Sequence, residues 1–208
     1  MGSDILASYA RRADEYAEHL GSMASVHPSD LQLVTAWADE MRGLILDAGC
    51  GPGHWSGYLA SRGNDVRGID LVPAFVEHAR AVHPGVPFDV ASIDALPHPA
   101  NSFAGVLAWY SFVHHRPGDI RRALDQFARV LRPGGGLLLG FFTGPAVEEF
   151  DHAVATAYRW PPEVLSGELR AAGFAVIETH TRTGARPHPR PHGAILAQRS
   201  NSRVDSIS

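Results

Sequence analysis

Apolar and polar positions along the chain alternate between two periods. Short apolar runs at residues 44–47, 65–71, 86–91, 103–109 and 137–142 read as buried strands. Between them lie stretches with helical spacing: 54–62, with Trp55, Tyr58 and Leu59 on one side, then 73–83 and 119–131. Pro73 stands where a first helical turn accepts proline. Residues 132–136, Arg-Pro-Gly-Gly-Gly, read as a turn before the fifth strand. Ahead of the first strand, residues 4–20 form a polar helix carrying Tyr9, Tyr16 and Leu20, broken by Gly21 and Ser22. A second helix at 29–42, capped by Ser29 or Asp30, gathers Leu33, Val34, Trp37, Ala38 and Met41 on one face. After the fifth strand the pattern predicts a helix at 147–158 within an insertion, a helix at 163–172 stopped by Gly173, and strands at 175–181 and 194–199. Alternating strands and helices predict an α/β fold with a doubly wound parallel sheet and right-handed crossovers.

The stretch 44–53, Leu-Ile-Leu-Asp-Ala-Gly-Cys-Gly-Pro-Gly, concentrates the chemistry. A buried strand ends in Asp47, and Gly49, Gly51 and Gly53 follow before a helix opens. Glycines let a ligand approach the backbone, and the helix start offers free N–H groups. The dinucleotide fingerprint G-x-G-x-x-G does not fit, because its third glycine falls on His54 or Ser56. A P-loop is excluded because the chain has no lysine. About 20 residues beyond the turn, Asp70 ends the second strand, where a carboxylate suits a ribose diol.

Composition adds boundaries. With 208 residues, 45% hydrophobic and 19% charged, the chain suits one globular domain. No apolar run is long enough to span a membrane, and no signal peptide is expected. One cysteine, Cys50, excludes an internal disulfide and fits a cytoplasmic protein. A net charge of −4 argues against nucleic acid as a partner. His188 and His192 stand four apart in a proline-rich loop without further ligands, so no metal is expected.

Several blocks together carry a resemblance: Asp47-x-Gly-x-Gly-x-Gly, the acid Asp70, the strand 103–109 continuing to His114, Arg129-Val-Leu-Arg-Pro-Gly-Gly before strand five, and Ala171-Ala-Gly-Phe before strand six. The chain resembles the class I S-adenosylmethionine (SAM)-dependent methyltransferases of small-molecule type, the group that includes ubiquinone and menaquinone biosynthesis enzymes. The resemblance implies a single Rossmann-like seven-stranded sheet in the order 3-2-1-4-5-7-6, its last strand antiparallel, with N-terminal helices as a lid. It implies a helical cap at 1–42, a core at 43–199 with an acceptor-side insertion near 144–162, and a disordered tail at 200–208. The cofactor would be SAM and the product S-adenosylhomocysteine (SAH). Gly49, Cys50 and Gly51 would lay backbone against its methionine and ribose, and Asp47 would hold the amino group. Asp70 would take the ribose hydroxyls, with Leu71 and Ile93 on the two faces of adenine. Ala108, Trp109 and Tyr110 would flank the methyl group, and Tyr16 would serve as a lid. Two positions depart from the family. Ser92 stands where an acid usually receives the adenine amino group, with Asp94 as its replacement. Ala104 stands where strand four usually carries an acid.

The implied reaction is methyl transfer to O or N of a small molecule by in-line displacement. Histidines past strand four, His114 first and His115 beside it, are candidates for a general base, as is His152 in the insertion. From 179 to 204 the chain has no acid but carries Arg182, Arg186, Arg190, Arg199 and Arg203 with His180, His188 and His192. The loop 182–192 would face the acceptor entrance, with Tyr158 and Trp160 as apolar walls, which suggests an acceptor bearing an acidic group. A non-catalytic SAM- or SAH-binding domain and a nicotinamide oxidoreductase are the competing readings. Either a monomer or a homodimer is compatible with the sequence.

Overall fold

In the computed structural model, residues 22–152, 155–183 and 191–201 are described. The first strand, β1 (Ile45–Ala48), lies between β2 (Val66–Asp70) and β4 (Phe103–Trp109), parallel to both, and β3 (Phe88–Val90) extends the sheet beyond β2. On the other side β4 pairs in parallel with β5 (Leu131–Thr143). Then β9 (His192–Arg199) pairs antiparallel to β5, and β8 (Phe174–Arg182) pairs antiparallel to β9 at the edge. These seven strands give the expected order, with the last strand in sequence running against its neighbours.

Two more strands form a hairpin, β6 (Glu148–Phe150) and β7 (Ala157–Trp160), where a helix was expected. The cause is tertiary. The last residue of β4, Trp109, pairs with Gly140, but β5 continues, and Phe142 and Thr143 pair in parallel with Arg159 and Trp160 of β7. A strand end left with open backbone groups recruits the insertion as more sheet. The expected turn at 132–136 is likewise part of β5. Gly134 takes a positive φ of 73°, and the pairing with β4 slips between Phe103 and Gly105.

Helices cover both faces. On one lie α1 (Pro28–Glu40), α2 (His54–Ser61) and α3 (Pro73–Val82). Trp37 of α1 and Trp55 of α2 pack there with Ile45, Leu107 and Leu138. The cap of α1 is His27 rather than Ser29 or Asp30. Pro28 starts the helix one residue early, and the His27 ring accepts from the Ser29 N–H at 3.2 Å. On the other face lie α4 (Ile120–Val130) and α5 (Pro162–Ala171). Ile120, Ala123, Leu124 and Phe127 recur at helical spacing and meet Val106, Leu137 and Leu139. Both faces are buried, so the β5 run 137–142 is apolar without alternation. Among the described residues no helix is long and apolar enough to cross a membrane.

Helix α1 approaches the sheet unusually closely. Gly105 of β4 and Gly136 of β5 are paired across the ladder. A Cβ on Gly105 would lie 2.9 Å from the Trp37 ring and the Met41 sulfur, and one on Gly136 would lie 3.0 Å from the same two side chains. Gly105→Ala and Gly136→Ala should therefore each cost about 1–3 kcal/mol through overpacking, read as a lower urea midpoint. Gly85, whose Cβ would meet nothing within 4 Å, should tolerate alanine within about 0.5 kcal/mol.

Candidate functional site

The turn between β1 and α2 is built from backbone that ordinary residues avoid. Gly49, Gly51 and Gly53 have φ of 80°, 54° and 87°. Gly49 is required twice over, because a Cβ there would also stand 2.3 Å from Cβ of Ser111. The N–H groups of Gly49 and Cys50 both donate to the carbonyl of Ile69 at 2.8 Å, so the turn is tied to β2. The Cys50 side chain packs with Val76, Ala79 and Phe88, and burial pushes its thiol well up. Only its backbone belongs to the turn.

Two carboxylates flank this turn. Asp70 accepts from the Gly51 N–H at 2.9 Å through one oxygen and from the Val72 N–H at 2.8 Å through the other. Burial raises its pKa, and these N–H groups partly oppose the rise. Asp47 is 2% exposed and accepts from the Ser56 hydroxyl at 2.6 Å. Burial drives its pKa to about 7, and the nearby charge of Asp70 adds to the shift. Both acids are thus held by dipoles, a hydroxyl and N–H groups.

Beside Asp70 opens a recess at the carboxyl ends of β1, β2 and β4. Leu71 and Ile93 supply apolar walls, and Gly49 and Ser92 border it. The Ser92 hydroxyl accepts from the Asp94 N–H at 3.1 Å. Asp94 itself is taken by His115, whose Nε2 lies 2.9 Å from Oδ1, and that bond holds the Asp94 pKa low. Nδ1 of His115 and the hydroxyl of Ser111 are buried, have no hydrogen-bond partner among the described residues, and belong to residues lining the recess. Ser111 carried no signal in the sequence beyond its place just past strand four. His115 stood out only as one of two adjacent histidines, and its partner lies 21 residues earlier.

The end of β4 divides this recess from a second one. Ala108 is fully buried in the core beneath α4. Trp109 faces α1 and α2 and meets Trp55 edge-on at 5.9 Å between ring centroids. Tyr110 adopts a φ of 59°. That left-handed residue ends the strand and carries the chain over to Ser111 beside Gly49. Its hydroxyl hydrogen-bonds Nδ1 of His192 at 2.5 Å, and burial raises its pKa.

Adjacent in sequence, His114 and His115 part company. The Nδ1–H of His114 donates to the Thr156 carbonyl at 2.7 Å, and its ring meets His152 at 5.5 Å beneath the β6–β7 hairpin. Burial lowers its pKa. It lines neither recess, whereas His115 lines the first. Tyr16, Arg186, His188 and Arg190 lie outside the described residues.

The second recess, about 400 Å³, lies between α1 and the β8–β9 edge. Leu33 and Ala36 of α1, Trp109, Tyr110, Arg182 and His192 contribute to it. Arg182 is not a free cation, for it pairs with Asp30 of α1 at 2.6 Å. Tyr158 and Trp160 do not line this recess. Both sit in β7, and Trp160 is buried in the core beneath α5. Among the described residues no group of three or more His, Cys, Asp or Glu is placed to hold a metal.

Comparison with known proteins agrees with this geometry. Residues 45–135, from β1 into β5, match a family model described as a methyltransferase domain. A malonyl-[acyl-carrier protein] O-methyltransferase of Salmonella typhimurium is 37% identical over 131 residues, 63% of this chain and 50% of that protein. The chain thus spans half the length of that relative. A second enzyme of the same description, from Erwinia billingiae, is 26% identical with 97% and 87% covered. Among solved structures, a SAM-dependent methyltransferase of Methanosarcina mazei superposes with a TM-score of 0.71 at 19% identity, covering 85% of this chain and 99% of that one. The glycine turn and both strand-end acids fall within residues 45–135, which match a methyltransferase domain, and the sheet order is that of the SAM-dependent methyltransferase fold.

Proposed function

We propose that the chain is an enzyme that moves a methyl group from SAM to a small-molecule acceptor by in-line displacement. The observation that carries this reading is the pair of carboxylates on either side of the glycine turn, Asp47 buried and Asp70 half-buried. Two neighbouring acids held only by dipoles, one of them buried, form a site that a cationic ligand completes. SAM supplies, when bound, an electrophilic methyl on a sulfonium beside an ammonium group.

The chain's own groups divide the remaining work. Asp70, pinned by two N–H groups, presents its remaining lone pairs to a ribose diol. Leu71 and Ile93 form the slot for adenine. Nδ1 of His115 and the Ser111 hydroxyl offer polar contacts beside Ser92, which stands where an acid would be expected. Asp47 holds the ammonium, directly or through water, and the backbone at 49–51 lies along the methionine. Ala108, Trp109 and Tyr110 stand at the end of β4, where the methyl would face the second recess. His114 serves as a tie between β4 and the hairpin rather than as the base. Holding two reactants in line accounts for about 7–11 kcal/mol of barrier in well-oriented systems. The curated relatives named here are O-methyltransferases, which favours oxygen as the acceptor atom.

Titration calorimetry tests the reading directly. SAH should bind and NAD should not, and NAD binding without an SAH response would overturn it. Asp70→Asn should weaken SAH by about tenfold to a hundredfold, the cost of a charge-assisted hydrogen bond of about 1.5–3 kcal/mol.

Asp47 yields a pH prediction with a definite sign. Its folded pKa of about 7 exceeds the ordinary 3.8. Between those values the folded protein holds a proton that the unfolded chain releases, so stability falls as pH rises through the window. Above it the full cost of burying a carboxylate is present. Asp47→Asn should therefore melt higher than the parent at pH 8, by a margin that shrinks toward pH 4, while binding SAH more weakly. SAH affinity of the parent should fall below pH 7, by up to about tenfold per unit, because the carboxylate must first lose its proton. Melting curves and calorimetry across pH 5 to 8 check both.

A further inference from the structure

We propose that the recess between α1 and the β8–β9 edge is the acceptor site, and that it takes an uncharged, ring-sized molecule whose hydroxyl group hydrogen-bonds to Tyr110. This rests on the reading of the neighbouring recess as the cofactor site. Three observations carry it: size, position and charge.

A recess of about 400 Å³ falls at the small end of ligand sites and suits one or two rings. It is separated from the first recess only by the end of β4. Trp109 and Tyr110 line one side and Ser111 the other, so a molecule here sits across a single strand end from the glycine turn. Leu33, Ala36 and the face of Trp109 give it apolar walls.

Charge decides the class of occupant. The cation in the wall, Arg182, is joined to Asp30 at 2.6 Å, and the two are only 24% and 19% exposed. An anion would have to part them and then sit beside Asp30, and a cation would meet the reverse. His180, also at the wall, is held by Glu178 at 2.9 Å. Besides Ser29, Gln32 and Thr181, the wall offers a polar ligand the Tyr110–His192 hydrogen bond. If the Tyr110 hydroxyl donates to Nδ1 of His192, its oxygen still has lone-pair capacity, so a hydroxyl of the ligand can donate to it. Among the described residues of the basic stretch 179–204, the arginine in this wall, Arg182, is thus neutralised by Asp30 of α1.

The test uses the full chain saturated with SAH and five probes. They are methyl 4-hydroxybenzoate, its methyl ether, 4-hydroxybenzoate, and tyramine, with malonate as a second anion. Dissociation constants are read by calorimetry. Methyl 4-hydroxybenzoate should bind at least about tenfold more tightly than any other probe. Ala36→Phe, which fills the recess, should abolish that binding while the SAH constant stays within about twofold. Tyr110→Phe should shrink the preference for the phenol over its ether to under about threefold. Asp30→Asn should release Arg182 and improve 4-hydroxybenzoate and malonate by about tenfold, and Arg182→Gln should do the same for tyramine. A purely structural ion pair would leave charge preference unmoved in both variants. Tightest binding of an anion by the parent, no probe bound by the SAH-loaded parent, or unchanged charge preference in both variants would overturn the proposal. Failure of SAH itself to bind would instead overturn the cofactor reading beneath it.

Discussion

One carboxylate holds the site together. Asp70 grips the glycine turn through Gly51 and its own following turn through Val72, so two strand ends that share no covalent neighbour are clamped side by side. The grip is made by N–H groups that a helix start and a turn would otherwise leave unsatisfied. Asp47, one strand over and fully enclosed, adds a second negative centre that the fold tolerates only at a cost in stability.

What was legible in the sequence was local. The glycine turn, the acid ending β2, and the strand 103–109 are each written in a few consecutive residues, and the structure has them where the pattern put them. The hairpin at 148–160 was not legible. Its apolar spacing is compatible with a helix, and only the overhang of β5 past Gly140 decides otherwise. The site pairs were hidden for a related reason. Asp94 with His115, Tyr110 with His192, and Asp30 with Arg182 are 21, 82 and 152 residues apart. Each residue taken alone reads as a generic polar group. Arg182 in particular looked like free charge in a basic stretch, and an acid on a helix at the other end of the described chain neutralises it.

The end of β4 organises the two recesses. Ala108 faces the core, Trp109 faces α1, Tyr110 turns through a left-handed conformation, and Ser111 arrives against Gly49. Four successive residues therefore serve the core, the second recess, the division between recesses, and the glycine turn. The positive φ of Tyr110 is what permits this rapid change of direction, and β-branched residues would resist it.

The seating of α1 on paired glycines has a consequence for how such a protein can change over time. The carboxyl-terminal half of the helix is locked, because Trp37 and Met41 rest on Gly105 and Gly136 with no slack. The amino-terminal half, with Asp30, Leu33 and Ala36, forms a wall of the second recess. Anchor and wall are thus different turns of one rigid rod. Substitutions in the wall turn can recut the shape and charge of that recess while the anchor keeps the rod in register and the glycine turn, on other elements, stays untouched. A descendant of this chain can acquire a new partner molecule by drift within about two turns of a single helix.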